Sequence, residues 1–284
     1  MIEPKIIYED ENFLAVNKPS GMLVHAARTN AEQTQNNAEN LPRKSALAPS
    51  EVEGSSPRVS AVSSGTLVDW LLKRYPEIKN VGDHSHGRVR ISRARSASER
   101  YLHARPGIVH RLDRETSGVM IVAKNQKYFE YLKSLFQKHL IRKTYLALVF
   151  GKVMPKSGII EKPIGIKSGT LKRSVHSTKM AKNSVTEYKV IKYLERLRPS
   201  SVFSFLEVEP KTGRTHQIRL HLASIGHPVV GDKLYGPKRN QPEWAHRLML
   251  HALSLEFSSG DGRRTRIEAE PPEDYSQIIY ALSL

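Results

Sequence analysis

The chain has 284 residues, enough to bury a full core as one large domain or two small ones. Its 45 lysines and arginines against 28 aspartates and glutamates give a net charge of +17, which favours a polyanionic partner because each neutralised phosphate releases counterions. The absence of cysteine excludes disulfides, thiolate metal sites and cysteine nucleophiles, and fits a reducing cytoplasm. The first residues, MIEPKIIYEDE, are acidic and lack the apolar core of a secretory leader. Nowhere does an apolar run reach the length that spans a bilayer. A cytoplasmic protein without a membrane partner is therefore expected.

In chain order, Ile6 to Tyr8 and Phe13 to Val16 read as two short strands joined by the acidic turn Glu9 to Asn12. Lys18-Pro19-Ser20-Gly21 is a turn, and Met22 to Val24 resumes an extended run. Lys18 is either a solvated turn lysine or an RNA contact. From Ala27 to Ser64 the composition turns to Ser, Asn, Gln, Glu, Ala and Pro, too polar to offset its ordering entropy, so an inserted disordered loop is expected over 27–64. Thr66 and Asp69 form a capping-box pair for a helix over Thr66 to Tyr75, which Pro76 stops. A second insertion, 83–105, carries six arginines and reads either as a solvated basic loop or as an arm that contacts phosphates.

Gly107 to Asn125, GIVHRLDRETSGVMIVAKN, sets Asp113 between Arg111 and Arg114 and follows them with an apolar strand, Val119 to Ala123. Reactive groups are often presented in this way, on a turn held by a rigid element. A helix is expected over Tyr128 to Leu140. Tyr145 to Val149 alternates, placing Tyr145, Ala147 and Val149 on one sheet face. Lys162 to Asn183 is a basic connection. Thr186 to Ile191 and Val202 to Val208 read as strands, Thr215 to Ile225 as a helix, Leu248 to Phe257 as a strand and Gln277 to Leu282 as a short helix.

HRLDRETSG closely resembles the catalytic motif of the RluA-type family of RNA pseudouridine synthases. Further stretches resemble that family in the expected order: IIYEDENFLAVNKPSGMLVH, RKTYLALVFG, KTGRTHQIRLHLASIGHPVVGDKLYG and LMLHALSLEF. The first begins within a few residues of Met1, so the S4-type RNA-binding domain of many relatives is expected to be absent. The resemblance implies one α+β domain over 1–284, with a long, mixed but mainly antiparallel sheet flanked by helices and loops, and an active site in a central cleft. It also implies isomerisation of uridine in ribosomal or transfer RNA, by a monomer.

Such an enzyme breaks the N1–C1′ bond of a uridine drawn from its stack, turns the uracil and rejoins it through C5. By the resemblance, Asp113 is the catalytic carboxylate, either attacking the nucleoside or abstracting the C2′ proton. Arg219 is its partner, and Tyr145 lines the uracil pocket, stacking on the base or moving a proton at C5. Arg111 holds the flipped nucleotide, by filling the vacated space or gripping a phosphate. Arg114 contacts RNA or balances charge, while Lys211 and Arg214, near a helix start, are phosphate contacts. His216, His221 and His227 lack metal-ligand spacing, so no metal is expected, and the isomerisation requires no cofactor. A nucleoside-cleaving hydrolase and a non-catalytic RNA-binding protein are the rival readings. The first wants a second carboxylate, and the second has no need of Asp113, Tyr145 and Arg219 together.

Overall fold

The computed structural model describes residues 3–25, 65–83, 105–166, 173–177, 179–197, 200–237, 241–260 and 262–283. The expected insertion at 27–64 lies outside the described residues, as does 83–105 apart from its ends, Asp83 and Arg105.

The strands are β1 (Lys5–Glu9), β2 (Phe13–Lys18), β3 (Ser117–Ala123), β4 (Arg142–Phe150), β5 (Ser157–Glu161), β6 (Gly165–Ile166), β7 (Arg173–Ser174), β8 (Val185–Leu197), β9 (Ser200–Pro210), β10 (Leu250–Ser258) and β11 (Arg264–Glu268). The helices are α1 (Leu67–Arg74), α2 (Gln126–Gln137), α3 (Gln217–Ser224) and α4 (Glu273–Ala281), with a short 3₁₀ turn at Pro76–Asn80. Nine strands make one sheet in the order β1-β2-β3-β10-β4-β9-β8-β5, with β11 paired to β10, while β6 and β7 form a separate hairpin. The β3–β10 pair is parallel, holding His251 beside Ser117 and Ala252 beside Gly118. The other pairings are antiparallel. This is the mixed, mainly antiparallel sheet of an α+β fold.

Local chemistry explains most of these elements. Every residue of β3 is buried, as expected of an uninterrupted apolar strand covered on both faces. The Thr66 side chain accepts from the Asp69 N–H, and the Asp69 carboxylate accepts from the Thr66 N–H, completing the capping box of α1. Asn125 caps α2 by accepting from the Tyr128 N–H, and the helix buries Tyr128, Phe129, Leu132 and Leu135. The alternation on β4 identifies its faces, but Ala147, Leu148 and Val149 are all buried because both faces are covered there. Met22 to Val24 joins no strand; the carbonyls of Leu23 and Val24 instead accept from the N–H groups of Leu67 and Val68 at the start of α1. The basic stretch after Lys162 contains the β6–β7 hairpin.

Two hydrophobic cores divide the sheet. One gathers β1 to β3, α1, α2 and the later part of β10. The other gathers β4, β5, β8, β9, α3 and the start of β10. Tyr145 packs against both. The cavity that Tyr145 lines is thus built where the cores meet.

His251 is fully buried in this junction, its Nε2 2.8 Å from the Ala269 carbonyl and its Nδ1 2.9 Å from Ser117 Oγ. A neutral ring donating to the carbonyl and accepting from the serine satisfies both contacts. Burial holds its pKa down to about 4, against a weaker opposing pull from the Ala269 carbonyl. The unfolded histidine binds its proton near pH 6.5. This group's contribution to stability is therefore intact above pH 6.5 and drains away as the pH falls towards 4, a loss on the order of 3 kcal/mol. Urea unfolding across that window should show the loss, and His251→Gln should flatten it. An unchanged pH slope in the variant would assign the acid sensitivity elsewhere.

Candidate active site

The HRLD segment forms a loop between an isolated bridge, Ile108 to Val122, and the start of β3. The loop is pinned at several points. Thr116 N–H donates to the Asp113 carbonyl at 3.2 Å, and Ser20 Oγ donates to the Glu115 carbonyl at 2.6 Å. Ile121 N–H donates to His110 Nε2 at 2.9 Å, and the His110 ring stacks on Phe136 at 4.5 Å. Gly118 closes the loop with φ +122°, and a Cβ there would stand 2.2 Å from the Ala252 carbonyl oxygen. Only glycine allows β3 and β10 to approach so closely.

Lys18 corrects an expectation. It is neither solvated nor placed to meet RNA, having no exposed surface. Its ammonium donates to the carbonyls of Pro19, Met22 and Arg114 at 2.9, 3.0 and 3.0 Å, so it ties the turn after β2 to the HRLD loop. Burial pulls its pKa down to about 7, opposed by the charge of Asp113. Arg114 completes the same clasp, donating from Nε to the Gly21 carbonyl at 3.0 Å while its own carbonyl accepts from the Gly21 N–H at 2.9 Å.

Above the loop opens a cavity of about 520 Å³ lined by Arg111, Asp113, Lys143, Tyr145, Arg214 and Arg219, among others. Arg219 projects from α3 and is 3 % exposed. Its Nη1 donates to Asp113 Oδ2 at 3.2 Å, while its Nε and Nη2 donate to the two oxygens of Asp232 at 2.7 and 2.8 Å. The planar fork suits such a two-point grip. Burial alone would raise the Asp232 pKa, but Arg219 and the N–H groups of Leu234 and Tyr235 outweigh it and hold the carboxyl below its ordinary range. The two carboxylates in turn raise the pKa of Arg219 against its desolvation. The Tyr235 ring lies 5.2 Å from the guanidinium carbon and covers its face.

The second oxygen of Asp113 has a different neighbour. Its Oδ1 stands 3.8 Å from His216 Nε2, and His216 Nδ1 meets the Tyr235 hydroxyl at 2.8 Å. His216 adopts a left-handed backbone, φ 57°, immediately before α3, a conformation that costs a non-glycine residue on the order of 1 kcal/mol. Burial lowers its pKa despite the adjoining Asp113, keeping the ring neutral at pH 7. Tyr145 is half-buried in the cavity wall, and burial together with the charge of Asp113 raises its pKa, keeping the phenol protonated.

Of the residues expected to act together, Asp113, Tyr145, Arg219, Arg111 and Arg214 share this cavity. Arg114 and Lys211 do not line it. The Lys211 ammonium is held by Glu187 at 2.7 Å and Glu209 at 3.2 Å, carboxylates that the neighbouring strands β8 and β9 bring beside it. Its ammonium is thus partnered within the protein, while the side chain remains exposed. The three histidines diverge: His221 bonds Ser184, Thr186 and Lys162, and His227 bonds the Phe150 carbonyl, while His216 faces Asp113. Asp232, Tyr235 and His216 had no role in the sequence reading. Their signal is the GDKLYG turn and the histidine ahead of QIR, but only the fold brings them to Arg219.

Comparison with known proteins agrees with this geometry. The family profile described as RNA pseudouridylate synthase matches residues 77–224. An RNA pseudouridine synthase of Aquifex aeolicus is 34 % identical over 280 residues, covering 96 % of this chain and 71 % of its own length. The ribosomal large subunit pseudouridine synthase D of Pseudomonas aeruginosa is 31 % identical, covering 99 % of this chain and 72 % of its own. Among solved structures, human RNA pseudouridylate synthase domain containing 1 superposes with a TM-score of 0.64 at 22 % identity, covering 99 % of this chain and 94 % of that one, and shares the fold. The chain belongs to the RluA-type family of RNA pseudouridine synthases, enzymes that isomerise uridine in RNA to pseudouridine.

Proposed function

We propose that Asp113 is the carboxylate that drives this isomerisation, and that the substrate is large-subunit ribosomal RNA. The observation that carries the assignment is the division of labour between the oxygens of Asp113. Oδ2 is tied to Arg219, whose orientation Asp232 fixes, while Oδ1 faces the neutral ring of His216, 3.8 Å away. A uridine seated in the cavity brings C1′ and C2′ to that second oxygen.

From there the reaction runs by attack at C1′ or by removal of the C2′ proton. In either case the N1–C1′ bond breaks and its electron pair leaves with the uracil. The detached base turns and C5 bonds to C1′, displacing the Asp113 carboxylate from C1′ in the first route, or with Asp113 returning its proton to C2′ in the second. The C5 proton is then released while N1 regains one. Tyr145, a neutral phenol packed between the two cores, supplies a flat wall for the base during this turn. Arg111, exposed at the cavity rim, is placed to hold the strand from which the base is drawn. Support for the ribosomal substrate comes from relatives named for the ribosomal large subunit, including that of Pseudomonas aeruginosa.

Tritium release from RNA carrying [5-³H]uridine tests the reaction and the choice of substrate, and Asp113→Asn in the same assay tests the carboxylate. Release from large-subunit ribosomal RNA, with pseudouridine in the digest, is the expected result. Free uracil would identify a hydrolase, and neither product a binding protein. Release from transfer RNA alone would overturn the choice of substrate.

A further inference from the structure

Lys143 stands two residues before Tyr145 on β4, so both side chains leave the same face of the strand and line the same cavity. Two residues of extended chain separate their origins by about 7 Å, close to the step from one nucleotide to the next. Lys143 has no role in the chemistry described above. The charge of Asp113 is felt by Tyr145, His216 and Lys18, whereas the charged neighbour felt by Lys143 is a second cation, Lys211. Lys143 stands on the Thr212 side of the cavity, where its ammonium meets the Thr212 carbonyl.

Its ammonium is poorly satisfied. It has three protons to donate, and its hydrogen bond is to the Thr212 carbonyl at 3.5 Å, long for such a contact. Among the described residues it has no carboxylate within ion-pair distance. His110, in the same wall, offers no negative charge either: burial and Lys143 itself hold that imidazole neutral, with a pKa near 3. A half-buried cation in this position is costly until an anion arrives. Burial and Lys211 hold its pKa at about 8, so it is still charged at pH 7.

We propose that Lys143 is a phosphate-binding residue, receiving a phosphodiester of the substrate RNA one nucleotide away from the base that rests on Tyr145. This rests on the proposed reading of the cavity as a uridine site. It assigns Lys143 to substrate affinity and not to bond breaking.

The test uses the full chain and large-subunit ribosomal RNA transcribed with [5-³H]uridine, comparing Lys143→Met and Lys143→Arg with the unsubstituted protein. Met keeps the volume of the stem and removes the charge. Lys143→Met should raise KM ten- to a hundredfold, the worth of a charge-assisted contact, with kcat within about twofold. The slope of log KM against log salt should flatten by about 0.7 to 0.9, the signature of one lost phosphate contact. Lys143→Arg should restore both. The thermal midpoint of Lys143→Met should match or exceed that of the parent, since a buried charge has gone; a structural lysine would lower it. A fall in kcat with KM unmoved would place Lys143 at the reacting base, and unchanged kinetics would leave it without a role in binding; either result overturns the proposal. An unsubstituted chain that releases no tritium refutes the uridine-site reading itself, whereas an active chain matched by Lys143→Met refutes this inference alone.

Discussion

Asp113→Asn should lower tritium release by about four orders of magnitude, the scale of loss seen when a reacting group is removed from a preorganised site. The substitution is nearly isosteric. Its amide oxygen still accepts from Arg219 Nη1, which sits 3.2 Å from the carboxylate, so the loop and α3 keep their relation. What disappears is the charge on the second oxygen, and with it the power to attack C1′ or take the C2′ proton. Fold and RNA affinity should be preserved, with circular dichroism and the thermal midpoint close to those of the parent. Filter binding should show the RNA held at least as tightly, because one negative charge has left a cationic cavity. A variant retaining a tenth of the parental rate would remove Asp113 from the chemistry.

Asp232→Ala should lower stability and rate together, although Asp232 does not line the cavity. Its side chain has no exposed surface and binds two nitrogens of a guanidinium that is itself buried. Removing one partner of such a pair typically costs about 3–5 kcal/mol, because the survivor keeps its charge without compensation. The unfolding midpoint should fall accordingly. Activity should drop by about a hundredfold in the fraction that remains folded, since a displacement on the order of 1 Å at the reacting centre is worth that much. Arg219, no longer fixed from behind, is free to shift on Asp113. The companion variant Arg219→Met/Asp232→Ala separates the two effects. Deleting both charges should recover part of the lost stability but none of the rate. Full activity in Asp232→Ala would show that Arg219 needs no second carboxylate to hold it.

The pairing of Asp113 with Arg219 was legible before any coordinates, because the motifs containing them are distinctive and occur in order. Their immediate neighbours were not. Lys18 lies in KPSG, and turn chemistry there announces a turn without saying which carbonyls its ammonium will reach. One of the three belongs to Arg114, a residue 96 positions away. Lys211 reads in the sequence as a cation near a helix start, and only strand pairing sets Glu187 and Glu209 beside it. Asp232 reads as an ordinary turn aspartate, and only the approach of α3 makes it an anchor. The elements show the same division. The capping box of α1 and the apolar run of β3 are local signals and appear as expected. The short strands β5 and β11 exist because longer strands, β8 and β10, offer them an edge.

The acid and its guanidinium stand 106 positions apart in the chain. Closing a loop of that length is entropically expensive and is repaid only by the sheet that joins its ends. A nascent polypeptide that has delivered HRLD but not yet HQIR therefore carries Asp113 without the guanidinium that accompanies it in the folded chain. The pair can close only once the later strands of the sheet have been made, since β8 and β9 lie between the two residues in the chain.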